Sequence, residues 1–409
     1  MPPRNRETIL TSGPGGRILT NANVWSADGE WIVFDTRSDP AGDRFNGTKI
    51  QAVHVESGEI RTLYESRNGA HCGVATCHPS EPKVVCIVGP EHPTADWSYG
   101  PTRRQGIVIG FDGGVQNLDA RDLVPPFTPG ALRGGSHVHT WHPRGDWVSF
   151  TYDDELLKLT GHQRNIGVAL PGRTVRAPKT NPRNHDGEHF SVVVTRTTAE
   201  PRIGSDGIST AYEEAWIGST RSIAFQGLVH TPHGSVAEVF AVDLPDELHH
   251  PGDGPLEGTE SQRPAPPRGV VQRRLTRTLD HKYPGLRGAP RHWLRSSPDG
   301  SKIGFLKRGP RGVVQFWTVN PAGGEPQQVT DSPRPMASAF TWHPDGLRVA
   351  CVIGGSVCVI DTVSGTVARL TGRGDDTPRP EACVFSPDGS RIAFVRTLGG
   401  FNQICVVEV

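Results

Sequence analysis

Residues 134–141 read GGSHVHTW. On an extended strand, residues two apart face the same side. His137 and His139 would therefore bring two imidazoles to one point. His71, in GAHCGVATCHP at 69–79, is placed to supply a third from a neighbouring unit, and His292 a fourth. Three imidazoles with an open position suit a catalytic divalent metal such as manganese, zinc, calcium or magnesium. The competing reading is that these side chains cap loops or hydrogen-bond across a channel that holds only water.

Two further segments carry acid–base and cationic chemistry. DHKYPGLRGAPRHW at 280–293 contains Lys282, Arg287, Arg291 and His292. Dense cations suit an anionic substrate such as a uronate or a phosphate. EHPTADWSYGPTRRQ at 91–105 contains His92, Tyr99 and Arg104. His92 or Lys282 is a candidate base and Tyr99 a candidate acid for moving a proton next to a carboxylate. Arg291 joins this catalytic group. Arg104, Arg133, Arg287 and Glu213 are the candidate substrate-binding residues. For each segment the bland alternative is a solvated or packed loop held by ion pairs.

These residues need a frame, and a repeat supplies it. A small polar residue or His, then Pro-Asp-Gly or a relative, then a short apolar run appears six times. The copies begin at Ser26, His78, His142, Ser297, His343 and Ser386. A seventh, eroded copy is EEAWIGSTRSIAFQG at 213–227. The turn residues suit tight hairpins, and the alternating apolar positions suit half-buried strands. Trp25, Trp141, Trp342 and Phe385, just before the turns, are expected to fill the space between adjacent blades. A second series, of the form x-x-Leu-Thr, closes each unit. It includes RTLYES, VQNLDA, RRLTRT, QQVTDS, ARLTGR and, less regularly, HFSVVVTRT. Another copy, ILTSG at 9–13, precedes every inner strand, whereas the chain ends on ICVVEV. The expectation is an all-β, seven-bladed propeller spanning 1–409, with the N-terminal strand completing the last blade. Long loops are expected near 87–106, 154–188, 198–212 and 246–270, the last flexible and the first ordered over a site.

In such a ring the strand before each turn lines the central channel. That places Asn21, Asn23, His71, His137, His139, Glu213, Glu214, Arg291, His292 and Glu381 toward the axis.

Composition narrows the function. Lys+Arg and Asp+Glu number 43 each, so nothing pulls the chain generally toward nucleic acid or anionic membrane. MPPRNRETIL has no apolar signal region and no run of about 18 apolar residues follows. Seven scattered cysteines point to reduced, buried thiols, and so to a cytoplasmic protein. There is no Gly-x-Ser-x-Gly elbow, phosphate loop or His-Glu-x-x-His.

SPDGSRIAF at 386–394 and HPDGLRVAC at 343–351 resemble the repeats of TolB-like propellers, and the likeness runs along nearly the whole chain. GAHCGVATCHP, GPEHPT and RGGSHVHTWHP look like a bacterial branch of that superfamily. In kind, the His-x-His pair also resembles oligogalacturonate lyase, a propeller that binds manganese through a His cluster and eliminates across a uronate C4–C5 bond. That resemblance implies His137, His139 and His71 as metal ligands. The lyase's additional Gln ligand has no counterpart here, where Leu132, Arg133 and Gly134 precede the pair. Two functions compete. One is a metal-dependent lyase, dehydratase or epimerase acting on an anionic sugar-like compound. The other is a non-catalytic propeller docking a protein or peptide on its top face.

Overall fold

Turn chemistry builds the strands, as the copies at Ser26, Ser297 and Ser386 show. In each, the Ser hydroxyl donates to the Asp carboxylate two residues on, at 2.5 Å. The glycine that follows sits at φ 74°, 74° and 76°, where a side chain is strained. The chain then enters a buried strand. Each of the seven anchors leads into one: Trp31–Arg37, Lys83–Val88, Val148–Asp154, Ser222–Thr231, Ile303–Arg308, Arg348–Ile353 and Arg391–Leu398. The closing series also forms strands, including Ile60–Glu65, Phe190–Val193 and Val367–Arg369.

The computed structural model describes residues 6–374 and 376–409. The first five residues of MPPRNRETIL lie outside the described residues. Among the described residues every regular element is a strand except a single 3-10 turn at Pro101–Arg103. The architecture is an all-β propeller. Five four-stranded antiparallel sheets stand as discrete blades, where seven were expected. The remaining long strands form one eight-stranded sheet. In it Gly16–Ile18 meets Phe401–Glu408 in parallel at Gly16 and Asn402, which merges the first and last units. Glu7–Ile9 pairs antiparallel with Phe401–Glu408, Glu7 opposite Val407.

Apolar faces between neighbouring sheets make the core, and tryptophans tie strands and sheets together. The indole N–H of Trp25 donates to the Val384 carbonyl at 2.9 Å, that of Trp216 to Thr140 at 3.1 Å, and that of Trp342 to Arg295 at 2.9 Å. The turn histidines bridge onward to the next turn: His78 Nε2 meets the Gly145 carbonyl and His142 Nε2 that of Thr220. All seven cysteines are free and buried, and burial pushes the Cys72 thiol up to about 12.

Two loop expectations need correction. The 154–188 stretch contains the strand Arg164–Leu170, third in its sheet. The 246–270 loop is pinned rather than free. Leu248 and Leu256 are buried in the largest apolar cluster, and Arg133 donates to the carbonyls of Thr259 and Gln262.

Candidate functional site

Innermost strands position the axial side chains, and three of them carry the same defect. Register slips between Gly73 and Thr76, between His137 and Thr140, and between Tyr212 and Ala215. Within each slip one residue takes a left-handed conformation: Val74 at φ 59°, Val138 at 55° and Glu213 at 54°. For β-branched valines this is a strained geometry that the surrounding sheet must enforce.

The slip at Val138 overturns the His-x-His reading. With alternation broken, His139 turns into the neighbouring sheet, where a Cβ on Gly106 would stand 2.7 Å from its Nε2. Its Nε2 pairs with the Ser136 hydroxyl at 3.0 Å, and burial lowers its pKa to about 3. His292 also leaves the axis. The Leu306 N–H donates to its Nε2 at 3.1 Å and its Nδ1 faces the Pro290 carbonyl at 3.2 Å, so both ring nitrogens are engaged. Among the described residues the only metal-capable trio of His, Cys, Asp or Glu is Glu247, His249 and His250, on the exposed surface. The set of His71, His137, His139 and His292 does not converge and does not fit a divalent metal.

One substrate-binding expectation changes as well. Arg133 is structural: it is buried against Asp154 at 2.9 Å and anchors the 246–270 loop. Arg287 has a buried Nε without a partner, and its backbone N–H donates to Leu306. Two catalytic candidates lie off the axis. His92 is exposed, on the rim of a side cleft, and Lys282 is exposed, donating to the Pro310 carbonyl.

His71, Tyr99, Arg104, His137, Glu213 and Arg291 remain, linked by ring contacts, an ion pair and charge effects. Tyr99 stacks on Phe45 at 4.6 Å, meets the His71 ring edge-on at 6.1 Å, and lies 5.3 Å from the Arg104 guanidinium. Burial raises the Tyr99 pKa although Arg104 opposes the rise, so the hydroxyl keeps its proton. His137 is 5% exposed and its Nδ1 has no partner. Burial, reinforced by Arg104, Arg164 and Arg291, holds its pKa well below the ordinary imidazole value, so the ring is neutral. Arg164 pairs with Asp153 and Arg291 with Glu213 at 2.7 Å. Arg104 makes no ion pair among the described residues, and its Nε is buried without a partner.

Beside this group lies a cavity of about 350 Å³ whose wall includes Asn21, Asp35, Val74, Val138, Arg291 and Glu381. Asp35 is ion-paired to Arg37 at 2.5 Å and Glu381 to Arg379 at 2.7 Å. Next to Glu213 in the chain, Glu214 is 1% exposed, and burial raises its pKa to about 7. Arg295 reaches Asn21 there. Sequence reasoning missed Asp35, Arg37, Arg164 and Arg295. The available signal for the first two was two charges ending the apolar strand WIVFDTR.

Known proteins supply the wider setting. A family described as "Protein of unknown function (DUF3748)" matches residues 71–185. Oligogalacturonate lyase in complex with manganese superposes with a TM-score of 0.60 at 11% identity, covering 99% of this chain and 93% of its own. A putative TolB from Agrobacterium tumefaciens aligns at a TM-score of 0.45 and 15% identity, over 88% of this chain and 98% of its own. The first likeness establishes the propeller fold, and the second is too loose to add to it. No helix among the described residues is long and apolar enough to cross a membrane. The Escherichia coli "Uncharacterized protein YidR" is 44% identical over 407 residues, covering 98% of this chain and 96% of YidR. The chain belongs to the YidR family.

Proposed function

We propose that the axial mouth binds an anionic, sugar-like small molecule and removes a proton next to its carboxylate, as a lyase, dehydratase or epimerase does. One observation carries the reading. Arg104, a half-buried cation without an ion pair among the described residues, lies against the Tyr99 ring and acts on the neutral imidazole of His137. An unpaired, half-buried guanidinium favours a carboxylate partner, and the pairing acidifies the adjacent C–H. His137, rather than His92 or Lys282, then acts as the base. In an elimination the C–H electron pair forms the double bond as the C–O bond breaks. Tyr99 protonates the departing oxygen, and the proton held on His137 passes through solvent to restore the Tyr99 hydroxyl. Arg291, 58% exposed in its ion pair with Glu213, is free to swing onto the substrate. No step passes through a metal, because the residues expected to hold one do not converge.

The finer architecture belongs to the same reading. The eight-stranded sheet acts as two blades joined at Gly16 and Asn402, giving a seven-membered ring in one domain, with the axial cavity on its axis. The unpaired cation favours a small anion here over a docked protein.

The test uses digalacturonate and monomeric uronates with the purified protein, with and without chelator, following the absorbance of the unsaturated product or deuterium uptake next to the carboxylate. Wild-type protein should turn over or exchange equally under both conditions, and His137→Asn should lose about 10²-fold or more. Chelator-abolished activity would refute the metal-free reading. Absence of both turnover and binding would leave the protein-docking alternative.

A further inference from the structure

A separate cleft lies among other residues. It holds about 1060 Å³ between the outer strand Ile60–Glu65 and the sheet beginning at Cys72–Cys77, roofed by segments near 90–97 and 182–185. Its polar wall is built rather than incidental. Arg121 is 3% exposed, its Nε is buried without a partner, and it makes no ion pair among the described residues. Its Nη2 donates to the Arg104 carbonyl at 2.5 Å, which fixes the guanidinium. Asp119, the acid that acts on it most strongly, has its Oδ1 accepting from the Gly106 N–H at 2.7 Å and the Ser136 hydroxyl at 3.0 Å. His185 pairs with Arg121 through the backbone, and its Nδ1 faces the Asp186 carbonyl at 3.3 Å. Its Nε2 is buried and unpartnered, which leaves an open acceptor when Nδ1 carries the proton. Arg183 lies opposite, held by the carbonyls of Glu91 and His92 and free of any ion pair among the described residues. Trp97 lies between, 5.9 Å from the Arg121 guanidinium and 5.5 Å from that of Arg183. Glu65 and Glu91 sit on the rim, Glu65 paired with Lys49 and Glu91 accepting from Asn68.

We propose that this side cleft is a second, separate binding site for a sugar bearing a carboxylate or phosphate. The anion lies between Arg121 and Arg183, a neighbouring hydroxyl donates to His185, and the ring face rests on Trp97. Two unpaired guanidiniums match one anion. A bare acceptor beside them selects a hydroxylated ligand over a simple one. An indole face adds apolar contact to the C–H side of a sugar ring. The family match at 71–185 contains every one of these residues. This site stands whether or not the axial one is catalytic.

The experiment is calorimetric titration of the full-length protein with galacturonate, glucose 6-phosphate, inorganic phosphate and glucose. It uses wild type, Arg291→Ala to disable the axial site, and Trp97→Ala with Arg183→Gln to disable the cleft. Trp97 and Arg183 lie in the cleft wall rather than the core, and thermal melts confirm folding. Arg291→Ala should keep one equivalent of galacturonate or glucose 6-phosphate, the better of the two naming the anion. The cleft double variant should lose that equivalent, with affinity at least tenfold weaker. Equal binding of glucose, or preference for bare phosphate, would overturn the assignment. So would full retention by the double variant, or no binding of any probe to Arg291→Ala.

Discussion

Glu214 offers a test of the axial electrostatics that needs no substrate. Its carboxylate accepts from Thr151 at 2.8 Å through Oε2, while Oε1 is buried without a partner. Burial raises its pKa from 4.5 to about 7, and the adjacent Glu213 charge adds to the rise. The folded protein therefore holds this proton more tightly than the unfolded chain does. The resulting stability is complete below pH 4.5 and is lost as pH rises through about 7. The full difference is on the order of 3 kcal/mol. With an unfolding entropy of roughly 2.1 cal/mol/K per residue, a chain this long converts that to about 3–4 °C in Tm. Glu214→Gln keeps an acceptor for Thr151 and removes the titration. Melting curves between pH 4.5 and 8 should place the variant level with wild type at the acid end and about 3–4 °C above it at pH 8. A variant tracking wild type within a degree throughout would refute the claim that Glu214 is held protonated in the fold.

Arg133→Ala should destabilise by about 3–5 kcal/mol, because Asp154 stays buried without its cation. Limited proteolysis should open new cuts near 258–263, while ligand affinity of the folded fraction stays unchanged. His292→Ala should cost roughly 1–3 kcal/mol in denaturant unfolding, since the buried Leu306 N–H loses its acceptor. Its metal content by elemental analysis should equal that of wild type.

Strand and turn positions were legible because they are local. A Ser-x-Asp-Gly turn carries its own hydrogen bond, as at Ser297 and Asp299, and the apolar run after it must alternate to bury one face. Even the irregular HFSVVVTRT was readable as an outer strand, which Phe190–Val193 forms. Arg104 was readable as a substrate-binding cation, the role proposed for it, whereas His137 was read as a metal ligand and is proposed as a base.

The sequence by itself determined the all-β propeller, the strand anchors and the burial of the thiols, because turn chemistry and two-residue periodicity act over a few residues. Tertiary structure alone decided the site. Val138 adopts a left-handed conformation against its own preference, since packing of adjacent sheets outweighs the strain, and that slip separates His137 from His139. Whether an arginine is paired depends on residues far away in sequence: Arg133 is matched to Asp154 and the distant Thr259, whereas Arg104 and Arg121 form no ion pair among the described residues. Only the packing of sheets brings such groups together or leaves them alone.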